Sequence, residues 1–134
     1  MQGGRCMYPE NIKYHKDHMW LQSDGNKGKI GITYYAQQQL GDIVFVELPE
    51  VGIEVDANSV IGEIESTKTT STIEAPVSGR IIEVNNDIEE MPEMINEDPY
   101  EKGWIAIMEI SNADEIKTLM DSKSYRNHVA EEEE

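Results

Sequence analysis

The chain has 134 residues, enough for one domain with a real core, and carries 27 Asp and Glu against 11 Lys and Arg, a net charge of −16. Such a field repels nucleic acid and anionic lipid and favours basic protein surfaces as partners. Its single cysteine, Cys6, excludes an internal disulfide and fits a reducing, cytoplasmic setting, and no apolar run is long enough to cross a membrane as a helix.

Residues 1–11 read as a flexible leader, residues 12–130 as one folded domain and residues 131–134 as a frayed acidic tail. Ile12–Leu21 carries aromatic and apolar residues suited to strands. The turn formers Ser23–Gly28 follow, and Lys29–Thr33 returns as the second arm of a hairpin. Tyr34–Leu40 predicts a short helix, capped by Thr33 and closed by Gly41. Asp42–Leu48 is a strand ending in the Pro49–Gly52 turn. Val60–Glu65 rises to Lys68 and Ser71–Ala75 descends from it; Pro76–Gly79 is a β-turn and Arg80–Asn85 another strand. Asp87–Lys102 reads as irregular, with Pro92 and Pro99 barring a long helix. Trp104–Ile110 is the last strand. Ser111 then caps a helix whose Ile116, Leu119 and Met120 share one face, and a second short helix through Tyr125 and Val129 fades into Glu131–Glu134. Short strands punctuated by turns predict a mainly β fold with flanking helices, an antiparallel sandwich or barrel. Trp20, Phe45 and Trp104 are expected in its core.

Lys68 is the only lysine between Ile30 and Glu101, a stretch crowded with carboxylates whose one other cation is Arg80. It sits in Glu65-Ser66-Thr67-Lys68-Thr69-Thr70, between two alternating runs, at the tip of a predicted hairpin. Exposed lysines are common, but a lone amine among small hydroxylated neighbours is also what covalent modification by another protein requires. Schiff-base catalysis needs a buried amine or a neighbouring cation, and the nearby charges are Glu63, Glu65 and Glu74. No Gly-rich phosphate loop, nucleophile elbow or EF-hand spacing occurs. His15 and His18, three apart on a strand, point to opposite faces, and no cysteine or third histidine joins them at ligand spacing. His128 has no partner by sequence. The reading is a scaffold without catalytic residues or a metal, presenting one amine, with an acidic shell suited to serial docking.

Several segments carry a family resemblance: Gly31-Ile32-Thr33 with Ala36-Gln37, Leu40–Gly52, Glu65-Ser66 before Lys68, Ala75–Gly79, Glu83-Val84-Asn85, and Ile95–Tyr100 before Gly103-Trp104. In that order they resemble the H-protein family of the glycine cleavage system, over residues 12–129. The resemblance implies a lipoyl/biotinyl-type β-sandwich, a barrel-sandwich hybrid, with lipoate attached covalently to Lys68 and Glu65, Ser66, Thr67 and Thr69 flanking it. It implies a non-catalytic, cytoplasmic, monomeric carrier that takes an aminomethyl group from a pyridoxal-phosphate glycine decarboxylase to an aminomethyltransferase. Dihydrolipoyl dehydrogenase would reoxidise the arm, and a lipoate ligase or a lipoyl/octanoyl transferase would install it. Biotinyl domains flank the lysine with methionines; Thr67 and Thr69 disfavour biotin.

Family members carry Glu before the tryptophan matching Trp20 and Asp four residues after the lysine, where this chain has Met19 and Thr72. Those acids hold the amine of the loaded arm, so the parked state is expected to be weaker here unless Glu63, Glu65 or Glu74 substitutes. Met19→Glu with Thr72→Asp is expected to slow ammonia loss. Two other readings stand beside this one: a paralogous lipoate carrier with a sulfur or lipoyl-relay cargo, and an unmodified interaction module.

Overall fold

Turn formers break the chain into short antiparallel strands that assemble as two facing sheets. The computed structural model describes residues 8–133; Cys6, Met7, most of the expected leader and Glu134 lie outside the described residues. The larger sheet has the order β1 (Lys13–Tyr14), β2 (Met19–Asp24), β3 (Lys27–Ile32), β9 (Ala106–Ile110), β8 (Gly79–Val84), β5 (Glu54–Val55). The smaller has β4 (Ile43–Glu47), β6 (Val60–Ser66) and β7 (Thr70–Glu74). All pairings are antiparallel. The β2–β3 hairpin turns on Gly25 and Asn26, with Gly25 at φ +64°, the left-handed conformation that a two-residue loop asks of its first residue. The inward residues Leu21, Ile30, Val46, Ile64, Ile73, Ile81 and Met108 form one core between the sheets.

Helix α1 (Tyr34–Leu40) has the expected bounds: Thr33 Oγ1 accepts from the Ala36 amide at 3.2 Å, and Gly41, at φ +80°, ends it. Asp87–Lys102, expected as irregular, contains two short helices, α2 (Asp87–Glu90) and α3 (Glu93–Glu97), each stopped within a turn or so. After β9 comes a 3₁₀ helix, Ala113–Thr118, capped by Asn112, whose Oδ1 accepts from the Asp114 amide at 3.1 Å; Ser111 does not cap it. Helix α4 (Ser122–Glu133) continues past Val129, so Glu131 and Glu132 extend a helix where a frayed tail was expected.

A second, aromatic core lies between α4 and the larger sheet. Tyr14 and Tyr125 stack at 4.6 Å, and Tyr8 meets Tyr125 edge-on at 5.4 Å. Tyr8 is thus buried in a segment expected to be a flexible leader, because α4 supplies a partner that the leader's own sequence does not reveal. Trp20 is fully buried, its Nε1 donating to the Pro99 carbonyl at 3.0 Å. Trp104 is half-buried, with Lys29 Nζ 5.7 Å from its ring. Phe45, expected in the core, is 54 % exposed. A β-bulge between Ile43 and Phe45 breaks the alternation, so Val44 and Phe45 both face out while Ile43 and Val46 face in.

Candidate functional site

Strands β6 and β7 carry Lys68 at the apex of a three-residue loop, Thr67-Lys68-Thr69. The buried Ser66 hydroxyl holds this loop together. It accepts from the Lys68 and Thr69 amides, both at 3.1 Å, and donates to the Thr69 carbonyl at 3.1 Å. The Ser66 amide closes the ladder on the Thr69 carbonyl at 2.8 Å. One small side chain therefore satisfies two loop donors that would otherwise be orphaned, each at a cost of about 1–3 kcal/mol if buried. Thr67, Lys68 and Thr69 are exposed, as is Glu65. Among the described residues no side chain forms an ion pair or hydrogen bond with Lys68 Nζ.

The loop is also tied to the segment between α1 and β4. The Thr67 amide donates to the Asp42 carbonyl at 3.0 Å. Asp42 is held in turn by Asn96 of α3, whose Oδ1 accepts from the Ile43 amide at 2.9 Å and whose Nδ2 donates to the Gly41 carbonyl at 2.8 Å and to Gln37 Oε1 at 3.0 Å. The Lys68 methylenes pass over Gly41: a Cβ there would lie 3.1 Å from Lys68 Cε. Gly41 both ends a helix and clears the lysine's path. Asn96, Gly41 and Asp42 carry no chemical signature of their own, and their roles come from contacts distant in sequence.

The outward face of the smaller sheet runs away from the apex. Opposed residues share a face, so the pairs Glu65 with Thr70 and Glu63 with Thr72, and then Glu74, line it in order. Glu63 and Glu65 are exposed and Glu74 is half-buried. At its far end this face meets the β1–β2 turn, where Asp17 and Glu74 share a hydrogen bond. Burial, and then that bond with the Asp17 carboxyl, push the Glu74 acid up. Burial would also raise Asp17, but the bond from Glu74 and the adjacent Lys16 outweigh it and hold Asp17 below the usual carboxylate range. His15, beside them, has both ring nitrogens engaged: Nε2 with Asn58 Oδ1 at 2.5 Å and Nδ1 accepting from the Asp17 amide at 3.1 Å. Met19 does not reach this face; it is 2 % exposed and packs in the main core.

The family model described as glycine cleavage H-protein matches residues 12–132. The glycine cleavage system H protein of Halalkalibacterium halodurans is 48 % identical over 92 % of this chain and 97 % of its own length. That of Bacillus subtilis is 47 % identical over 92 % of this chain and 98 % of its own. A crystal structure of a glycine cleavage system H protein from Mycobacterium marinum superposes with a TM-score of 0.85 at 37 % identity, covering 91 % of this chain and 98 % of that one. The two facing sheets with flanking helices are accordingly a lipoyl-type sandwich, and the exposed amine on a tied hairpin is the feature such a carrier needs. On family, fold and geometry together, this chain belongs to the glycine cleavage H-protein family, non-catalytic carriers that hold lipoate on a lysine and serve glycine decarboxylase and aminomethyltransferase.

Proposed function

We propose that Lys68 is the lysine that carries lipoate, through an amide on Nζ. We further propose that Asp17 and Glu74 receive the cationic end of the aminomethyl-loaded arm between visits to the two enzymes. A dihydrolipoyl dehydrogenase, a lipoate ligase or octanoyl transferase, a cytoplasmic setting and a monomeric state complete the reading. The observation that carries it is the apex itself: a lysine with a free Nζ on a loop whose backbone is fixed by Ser66 and Asp42. A fixed base lets a modifying enzyme read the backbone while the side chain reaches out.

The residues present fit the group. Lipoate attached there supplies a dithiolane that can take up and release the aminomethyl group. Gly41 leaves room for the lysine stem, and the threonines of β7 form a polar floor for an arm lying along the outward face. Of the three acids that could replace the family's pair, Glu74 is the one joined to a second carboxyl. Two adjacent carboxyls offer an ammonium two charge-assisted acceptors at once, which is the complement a parked amine requires. The net charge of −16 steers the carrier towards basic partner surfaces and favours fast exchange.

The protein incubated with lipoate, ATP and a lipoate ligase is expected to gain the mass of one lipoyl group, and Lys68→Ala none. Wild type left unmodified overturns the attachment. Lipoylated protein that supports no exchange of labelled carbon dioxide into glycine with a cognate decarboxylase overturns the cargo and leaves the attachment standing.

A further inference from the structure

His18, His128 and Glu132 converge although His18 and Glu132 are 114 residues apart. The Nε2 of His18 faces Glu132 Oε1 at 3.0 Å, and the Nε2 of His128 faces Glu132 Oε2 at 2.9 Å. One carboxylate is thus bracketed by two imidazole nitrogens, and each residue offers one ligand atom within 4.8 Å of the others. His128 and Glu132 stand four apart on α4, so one helix face presents both, while His18 reaches them from the turn before β2.

Two further observations set this cluster apart from an ordinary surface ion pair. His18 has φ +75°, a left-handed conformation uncommon for a side chain of its size, which the surrounding contacts must hold in place. Its ring is also fixed from behind: Nδ1 meets the Tyr125 hydroxyl at 2.7 Å, and that hydroxyl meets Thr33 Oγ1 at 2.7 Å. A hydrogen bond on the far nitrogen is the usual means of orienting a metal-ligating histidine. The Tyr125 hydroxyl can serve either state, donating to Nδ1 when Nε2 holds the proton and accepting from it when Nε2 binds a cation, with Thr33 Oγ1 taking the complementary part.

We propose that His18 Nε2, His128 Nε2 and one Glu132 oxygen form a binding site for a divalent transition metal of the zinc class. Bonds of about 2.0–2.2 Å in a tetrahedron place ligand atoms ~3.3 Å apart. The present N···O separations run to different Glu132 oxygens and are a few tenths of an ångström shorter than that, so the carboxylate turns and the side chains open to admit the ion. Each neutral imidazole keeps its one ring proton on Nδ1 when Nε2 takes the cation, in His18 facing the Tyr125 hydroxyl, so no net proton is lost. The Lys16 carbonyl oxygen, 2.9 Å from His128 Nε2, or a water completes the fourth position. Two imidazoles and one carboxylate are a zinc-type set, and an all-oxygen cation such as calcium is disfavoured. The bound ion ties the last turns of α4 to the β1–β2 turn. The other His/Asp/Glu group, His15 with Asp17 and Glu74, makes a contrast: the His15 nitrogens bond Asn58 Oδ1 and the Asp17 amide, neither of them a ligand atom of that group.

The test is titration of zinc chloride into the full chain, free of any histidine tag and carrying Cys6→Ser, followed by calorimetry. One zinc per chain is expected, with affinity unchanged in His15→Gln and at least tenfold weaker in both His128→Gln and Glu132→Gln. Circular dichroism checks that these two variants keep the fold. Cobalt(II) should give the intense visible absorption of a four-coordinate site in wild type and lose it in both variants. Absence of stoichiometric zinc binding by wild type, or equal affinity in His128→Gln, overturns the proposal and leaves a hydrogen-bonded His–Glu–His bridge.

Discussion

The role proposed for Lys68 rests on what does not touch it. Its neighbours tie up the loop backbone and leave Nζ to solvent, while the acids proposed to receive the cargo lie further down the outward face. Met19 is 2 % exposed and packs inside the core, so a side chain at that position must turn out of this packing to meet an arm on the outward face. Acids at 19 and 72, expected to slow ammonia loss, and the proposed pair Asp17 and Glu74 are separate ways of holding the amine, each with its own variant. Glu74→Gln removes one charge-assisted partner, worth about 1.5–3 kcal/mol, so ammonia should leave the aminomethyl-loaded protein about tenfold faster or more. Time courses of ammonia release from the two loaded proteins measure this. Equal rates would remove the pair from any role in holding the amine.

At the scale of elements, the β6–β7 apex is tied to helix α3 through the segment between α1 and β4. Asn96 on α3 holds Gly41 and Ile43, the Asp42 carbonyl between them takes the Thr67 amide, and the hairpin tip follows. Asn96→Ala leaves the Ile43 amide and the Gly41 carbonyl without their partner. The expected cost is about 2–3 kcal/mol, read as a lower urea midpoint at unchanged slope. Amide exchange should quicken at Thr67 and Lys68 and stay as it is in the centre of β3. A variant with slow exchange at Thr67 would mean that the loop needs no support from α3. The bulge in β4 acts at the same scale: one extra residue turns Phe45 outward beside Glu65, giving the acidic face an apolar edge.

The whole molecule is held by two cores of different chemistry, and the aromatic one makes its stability sensitive to alkali. Burial pushes the phenols of Tyr100 and Tyr125 well above 10.0, so the folded state keeps protons that the unfolded chain loses. Stability from these groups is complete below pH 10 and declines as pH rises beyond it, by up to ~1.4 kcal/mol per pH unit for each phenol. Denaturant titrations at stepped alkaline pH should show this decline, and phenolate absorbance for the two should appear together with unfolding. Independent titration of every tyrosine near pH 10 in the folded protein would contradict it.

Read from the sequence alone, the strands, the helix Tyr34–Leu40 with its cap and closing glycine, the sandwich class and the lysine apex were all legible. Each is set by local alternation, by turn chemistry or by segments that keep a family's order. Phe45, Tyr8 and the extent of α4 were not, because a bulge or a distant partner overrides the local pattern. The same holds for the support of the apex and for the meeting of His18 with His128 and Glu132. Periodicity says which face of a strand is apolar and where a turn falls. Which carboxylate, amide or imidazole meets which depends on chain segments many residues apart, brought together only when the two sheets and α4 pack.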